Sequence, residues 1–459
     1  MITFRQLLTK ARSEEGMTLV EVVVAMLVFA IISVGVAYST VTVARITEDT
    51  GSRQVATNLA TTEIDYIRGL QDPFLVTNLP RPKTVKVGTV TYYISRSVEW
   101  VDANGVDVGC GTGTGVMQSK RLNVTVTWDG MLSSTQPVRS DTLLSPDERI
   151  NDPDLGTIRI SVLGVAGTGS AGVGVTITPT SGGSALQEQP AVTNSDGCSF
   201  ALKVVPGTYS VKISRAGSID SNQLTSPSKS VVVTKGGSVA ALFQYDYSAT
   251  FLLQYASNNT SGTPALLPTN LDTTYLSTYA PYVDSSGAKT QVALHPFSSG
   301  YAGIAGKYIA PIAGNAGCVN VDPASWPEST VGTTVMAAGV RSPNVAALPQ
   351  GSTNMPIPMG LMTVKFSGSA YLFALSTAGP AGSGDPGCAA APTYAFGQVL
   401  KNGTINIALP YGSWVLYSAT NAAGTGKIPV PAANLGLIGS VLAILGGGTT
   451  VTLDPRIAK

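Results

Sequence analysis

Arg12-Ser13-Glu14-Glu15-Gly16-Met17-Thr18-Leu19-Val20-Glu21 runs directly into Val22-Val23-Val24-Ala25-Met26-Leu27-Val28-Phe29-Ala30-Ile31-Ile32, and this passage decides the architecture. A basic leader ends at a glycine, and about 22 mostly apolar residues follow, Met17 to Tyr38. A helix of that length spans a bilayer. One carboxylate, Glu21, sits inside the run. A charge at bilayer depth costs roughly 2.5–3.5 kcal/mol on insertion scales, so such residues usually face protein and serve a purpose. Glu21 lies five residues after the glycine, where a freed amino terminus could meet it. Arg5, Lys10 and Arg12 precede the run, and Arg45, Glu48 and Asp49 are the first charges after it. The positive-inside rule therefore places the leader in the cytoplasm and everything after about residue 40 outside.

On these residues the chain resembles the class III leader of type IV prepilins and pseudopilins, over roughly residues 1–70. The resemblance implies that a membrane prepilin peptidase cuts after Gly16 and methylates the new terminus, Met17, where phenylalanine is the commonest residue. It also implies that Glu21 pairs with the amine of a neighbouring subunit during assembly, which offsets the burial cost because a partnered buried charge is tolerated. Leu19 and Val20 complete the Thr-Leu-Val/Ile-Glu string. The competing reading is an ordinary secretory signal or signal anchor. Such a signal is cleaved after its apolar core, whereas this glycine precedes the core, and it seldom carries a glutamate there. Asn58-Leu59-Ala60-Thr61-Thr62-Glu63-Ile64-Asp65-Tyr66-Ile67-Arg68 further resembles the helix of minor pseudopilins of the PilV/GspI kind.

At 459 residues the chain exceeds one domain, and three or four modules are expected. Only 12% of residues are charged and glycine numbers 50, a profile that suits an extracellular all-β protein with many turns. The net charge of +1 implies no bulk attraction to nucleic acid or anionic membrane. The four cysteines, Cys110, Cys198, Cys318 and Cys388, admit three connectivities. Cys110–Cys198 with Cys318–Cys388 is favoured, and four free buried thiols stand beside it as the alternative.

The helix should continue past the membrane. Val55, Leu59, Thr62, Tyr66 and Leu70 fall at three- and four-residue steps, with Ile64 and Ile67 broadening the stripe, and Gly69 and Pro73 end it. A helix of about 50 residues, half of it packed on a sheet, is the stalk the resemblance implies. Two strands of period two follow. Val90, Tyr92, Ile94, Val98 and Trp100 share one face of the first, and Leu122, Val124, Val126 and Trp128 one face of the second. Ser145 to Asp154 is polar and proline-punctuated, the clearest linker in the chain.

Beyond it, short strands separated by turn signals argue for a β-sandwich from Gly156 to about residue 246. Asp196-Gly197-Cys198-Ser199-Phe200 through Val205-Pro206-Gly207-Thr208-Tyr209 resembles the carboxypeptidase-regulatory, transthyretin-like module, which implies a structural or binding spacer. The tail repeats this grammar. Gly360–Phe366 echoes the first strand, Leu409–Trp414 echoes the Pro-Gly-Thr-Tyr turn with one inserted residue, and Gly447–Leu453 echoes Gly236–Leu242. A duplicated sandwich is expected.

The organisation read from sequence is therefore α+β: a long N-terminal transmembrane helix on a small antiparallel sheet, pilin-like, followed by tandem all-β sandwich modules. Its segments are a leader (1–16), transmembrane helix (17–40), pilin-like headgroup (41–145), linker (146–155), transthyretin-like sandwich (156–246), β-rich module (247–355) and second sandwich (356–459).

No catalytic constellation stands out, so no enzyme is expected. The lone His295 cannot anchor a multi-histidine metal site, and the cysteines form no Cys-x-x-Cys pair, so neither metal nor cofactor is expected. Gly167–Gly172 spells G-x-G-x-x-G but lies between strands without the helix a dinucleotide site requires. Asp102–Asp107 could gather oxygens for calcium, yet the spacing equally makes a hairpin turn, the favoured reading.

Three roles remain. The first is a minor pilin whose β-head caps or decorates a type IV pilus-like fibre, with Tyr275, Tyr279, Tyr282, Trp326 and Trp414 as candidate surface contacts, core packing being the favoured reading for each. The second is a pseudopilin of a type II secretion or DNA-uptake machine, against which the absence of a basic patch counts for DNA. The third is a monomeric surface protein that uses the helix as an anchor. Expected partners are the prepilin peptidase, other pilin subunits, an inner-membrane assembly platform, membrane lipid and an unidentified surface ligand. Nucleic acid is not among them.

Overall fold

The computed structural model describes residues 18–70, 73–79, 81–102, 110, 119–132, 135–145, 152–399, 403–438, 443–445 and 449–459, and structural statements refer to these. The leader with Gly16 and Met17, the Asp102–Asp107 turn beyond its first residue, and most of the 146–155 linker lie outside them. The chain divides into two compact units, residues 1–109 with 115–150 and residues 110–114 with 151–459. The fold class is α+β, one long apolar helix followed by many β-sheets arranged as tandem sandwiches.

In the first unit α1 (Leu19–Arg68) is one unbroken helix of 50 residues. Four strands follow: β1 (Lys83–Val87), β2 (Val90–Val101), β3 (Ser119–Trp128) and β4 (Val138–Leu144), paired antiparallel in chain order. Strict alternation in β2 and β3 buries Tyr92, Ile94, Val98 and Trp100 with Leu122, Val124, Val126 and Trp128, as period two dictates. The helix face against this sheet differs from the expected stripe. Ser52, Ala56, Ala60, Glu63, Ile64 and Ile67 are buried, Val55 and Leu59 only partly, and Tyr66 is 61% exposed. At 3.6 residues per turn Tyr66 falls outside the arc that carries Ala60, Glu63, Ile64 and Ile67.

The second unit opens with a sandwich of β5 (Gly156–Leu163), β6 (Gly174–Ser181), β7 (Cys198–Val204), β8 (Gly207–Ser214), β9 (Ser218–Asp220), β10 (Ser228–Val233) and β11 (Ser238–Tyr247). One sheet runs β10-β8-β6 and the other β7-β5-β11-β9, with β5 and β11 parallel. Its core extends from Ile158 to Tyr245.

Next come β12 (Ala249–Tyr255), β13 (Thr273–Leu276), β14 (Pro281–Asp284), β15 (Gln291–Leu294), β16 (Ala302–Ala305), β17 (Ser329–Val331), β18 (Thr334–Met336) and β19 (Ser352–Ile357). They form the small sheets β15-β12-β19, β14-β13-β16 and β17-β18. The last sandwich comprises β20 (Gly360–Phe366), β21 (Ala370–Thr377), β22 (Thr393–Val399), β23 (Gly403–Leu409), β24 (Gly412–Ala419), β25 (Ile428–Pro429), β26 (Leu435–Leu437), β27 (Ala443–Leu445) and β28 (Thr450–Leu453). Here β23-β20-β26 faces β22-β21-β24-β28-β27, with β25 on the flank of β24.

The boundary read at residues 355 and 356 falls inside β19, which pairs parallel with β12. One hydrophobic cluster runs from Ala249 to Leu453 across it. The expected duplication holds for four strands and then departs in two places. The turn into β24 needs no inserted residue, because two residues separate Gly207 and Gly412 alike from the end of the preceding strand. And β28 does not correspond to β11, because it pairs antiparallel with β24 whereas β11 pairs parallel with β5.

Candidate assembly site at the head of the helix

The first turn of α1 is closed by a reciprocal cap. The Thr18 hydroxyl accepts the Glu21 backbone N–H at 3.3 Å, while the Glu21 carboxylate accepts from the Thr18 N–H and from its hydroxyl, each at 3.1 Å. The pattern Thr-x-x-Glu carries this signal in the sequence, and it satisfies N–H groups that every helix leaves orphaned at its start. The carboxylate also sits where the helix dipole favours negative charge. Thr18, which reading by bilayer depth alone passes over, is therefore the residue that orients Glu21.

From Leu19 onward the helix presents apolar side chains on all sides. Leu19, Phe29, Val34 and Val43 are each more than half exposed, and no residue of α1 is buried before Ser52. Ser33, Thr40, Thr42 and Thr47 return their hydroxyls to carbonyls four residues back, so these polar atoms are satisfied within the helix itself. This is the one helix among the described residues long and apolar enough to cross a membrane.

A second carboxylate anchors the other half. Glu63, 3% exposed on the face toward the sheet, accepts from Arg96 Nη1 at 3.0 Å and Lys83 Nζ at 3.2 Å. Arg96 in turn donates from Nε to the Thr77 carbonyl at 3.0 Å. Loss of one partner from such a buried pair leaves an uncompensated charge. Sequence reading placed Glu63 in the helix but not on its buried face, because a charged residue there is legible only once its partners on β1 and β2 are in place.

The cysteines pair as Cys110–Cys198 and Cys318–Cys388. Cys110 groups with the second unit although β2 and β3 flank it in the chain. Of the five aromatic residues read as candidate surface contacts, Tyr275, Trp326 and Trp414 are core residues, at most 1% exposed. Tyr282 is half-buried against Tyr275, and Tyr279, 54% exposed, stacks on Phe297. Trp326 and Trp414 are buried because the backbone carbonyls of Asn320 and Pro410 satisfy their indole N–H groups. His295 is fully buried. No group of three potential metal ligands occurs among the described residues.

Residues 11–37 match the sequence profile of the prokaryotic N-terminal methylation motif. No curated protein matches the chain significantly. Among solved structures, the TIE protein of Bacillus anthracis is 11% identical, with 75% of this chain and 69% of that one aligned and a TM-score of 0.19. The major pilin subunit BcpA of Bacillus cereus is 12% identical over 65% of this chain and 95% of its own, at 0.19. A streptococcal ancillary pilin is 9% identical over 58% and 80%, at 0.18. Superpositions this weak support no statement about shared fold or role.

Proposed function

We propose that this chain is a subunit of a type IV pilus-like fibre, mounted by its N-terminal helix and presenting the β-rich second unit outward from the cell. The observation that carries the reading is the Thr18–Glu21 cap at the head of an exposed apolar helix, inside a matched methylation motif. Cleavage after Gly16 would free the amine of Met17 next to that carboxylate. Glu21 would then exchange one of its bonds for the amine of a neighbouring subunit, and the apolar flanks of successive helices would pack together away from water. The second unit acts by binding rather than catalysis in this proposal. Its bulk favours a low-copy or tip position, and the exposed ring of Tyr279 is the aromatic surface contact that remains after the core residues are set aside.

The test is mass spectrometry of a sheared-fibre fraction. Cleavage after Gly16, N-methylation of Met17 and co-purification with other pilin subunits are expected. A chain that stays in the membrane after shearing, or that keeps its leader, overturns the proposal. Glu21→Ala should leave processing intact and deplete the chain from fibres, and normal fibre content in that variant would refute the role given to the carboxylate.

A further inference from the structure

His295, the only histidine in the chain, sits where the first sandwich meets the strands that follow it. Residues 219–223, from the end of β9 into the turn that follows it, lie against residues 293–301, at the end of β15 and beyond, through a closed set of polar bonds. The His295 N–H donates to Gln223 Oε1 at 2.8 Å, and Gln223 Nε2 donates to the Tyr301 hydroxyl at 3.0 Å. That hydroxyl donates to the His295 carbonyl at 2.7 Å. The His295 ring contributes its own bond across the joint, Nδ1 to the Ile219 carbonyl at 3.1 Å. A carbonyl only accepts, so Nδ1 carries the hydrogen. Nε2 is then the bare nitrogen of a neutral imidazole, and it is buried with no hydrogen-bond partner among the described residues. The Phe297 ring meets the imidazole edge-on at 4.7 Å, and both His295 and Tyr301 are fully buried.

This geometry accommodates one protonation state. A second ring proton would place an N–H and a positive charge in a buried, apolar-walled site where no described protein atom accepts it. The ionisable groups facing the ring are Asp220 and Asp246 from the first sandwich and the Tyr301 phenol from the other side. Both carboxylates already accept backbone N–H groups, Asp220 from Asn222 and Leu224, Asp246 from Val165 and Tyr247. They favour a charged ring, but burial outweighs them and holds the imidazole below its ordinary range. A groove of about 580 Å³, lined among others by Arg215, Ile219, Ser248 and Ala293, borders the joint and gives water a route to it once it loosens.

We propose that His295 makes this joint a pH-sensitive latch: the neutral ring holds residues 219–223 against 293–301, and its protonation releases them. Because the folded ring titrates below the unfolded one, the stabilisation is complete above about pH 6.5 and is lost as pH falls through the lowered folded value. The second unit would thus be stiff near neutrality and hinged in acid.

The full chain in detergent micelles provides the test. Its single imidazole gives one resolved NMR signal, expected to titrate below 6.5. Amide exchange in residues 215–227 and 291–303, corrected for intrinsic rate and referenced to β20–β24 in the same sample, should rise at least about tenfold between pH 7.5 and 5.5. In His295→Asn that rise should vanish. In Gln223→Ala the joint should exchange fast at both pH values, with the imidazole titrating closer to its ordinary value. The proposal is overturned if the ring titrates at or above that value, or if acid loosens His295→Asn as much as the unsubstituted chain. Should His295→Asn fail to fold, an unchanged titration in Gln223→Ala overturns it equally.

Discussion

The two sandwiches of the second unit begin alike and finish differently. In the first, β5 pairs with β7 while β6 pairs with β8, and in the second β20 pairs with β23 while β21 pairs with β24. The registers agree at both ends: Gly156 faces Val204 as Gly360 faces Leu409, and Gly207 faces Val233 as Gly412 faces Leu453. Even the corner is repeated. Tyr209 donates its hydroxyl to the carbonyl four residues earlier, Val205, at 2.8 Å, and Trp414 donates its indole N–H to Pro410 at 3.0 Å. By register, the counterpart of β28 is β10.

What differs is how each structure closes. The first sandwich lays the parallel strand β11 along β5 and completes its core within its own residues. The second has only the three-residue, antiparallel β26 beside β20, and its core continues into β12 and β19. The same four-strand motif is therefore self-sufficient in one place and half of a larger core in the other.

The largest expected effect separates those two states. Ile160→Ala, in the closed core, should cost about 2–5 kcal/mol, and Phe251→Ala, in the shared core, about 3–5 kcal/mol. By hydrogen exchange the first should loosen residues 156–246 alone. The second should loosen 249–357 and 360–453 together, and independent loosening of those two stretches would break the comparison.

Next in size are the corner glycines, at φ 158° and 130°. A Cβ on Gly207 would lie 2.3 Å from the Gly183 backbone nitrogen, and one on Gly412 2.5 Å from the Asn320 side-chain amide. Backbone yields less than a side chain, so Gly207→Ala should destabilise more than Gly412→Ala, both on the order of 1–3 kcal/mol in denaturant titration. The reverse order would show that the corners are not equivalent.

Smaller still is Tyr209→Phe, which leaves the Val205 carbonyl and the Ser184 N–H without their phenol and should cost about 1 kcal/mol in thermal unfolding. An unchanged midpoint would show that the shared corner bond contributes no net stability. The smallest effect concerns the outer edge of β6. There the Gln189 amide accepts from the Ile177 N–H at 2.7 Å and donates to its carbonyl at 3.1 Å, standing in for a neighbouring strand. Gln189→Ala should cost under about 1 kcal/mol and increase self-association in light scattering, as an uncovered edge invites pairing.

Period two alone identified the buried faces of β2 and β3, because one solvated side leaves an alternating trace. The stripe of α1 was legible in part: Ile64 and Ile67 lie against the sheet as read, but Ala56, Ala60 and the salt-bridged Glu63 share that face while Tyr66 does not. Trp326 and Trp414 admitted both a core and a surface reading, the core one favoured, and only the folded backbone shows the carbonyls that satisfy their indoles there. The tail echo was legible as Gly447–Leu453 set against Gly236–Leu242, but a strand's partner is chosen across the sheet, and β28 follows β24 in register rather than its likeness to β11.

By itself the sequence determined how the helix begins: Thr18 and Glu21 at capping-box spacing at the head of a long apolar run. Helix caps and membrane spans are local, set by neighbours within a few turns, so the chain spells them out. Only the tertiary structure decided that Glu63 is held by Lys83 and Arg96, that His295 closes a joint, and that the final sandwich shares a core reaching back to Ala249. Those outcomes depend on groups brought together from distant parts of the chain, where burial and pairing, not local pattern, set the free energy.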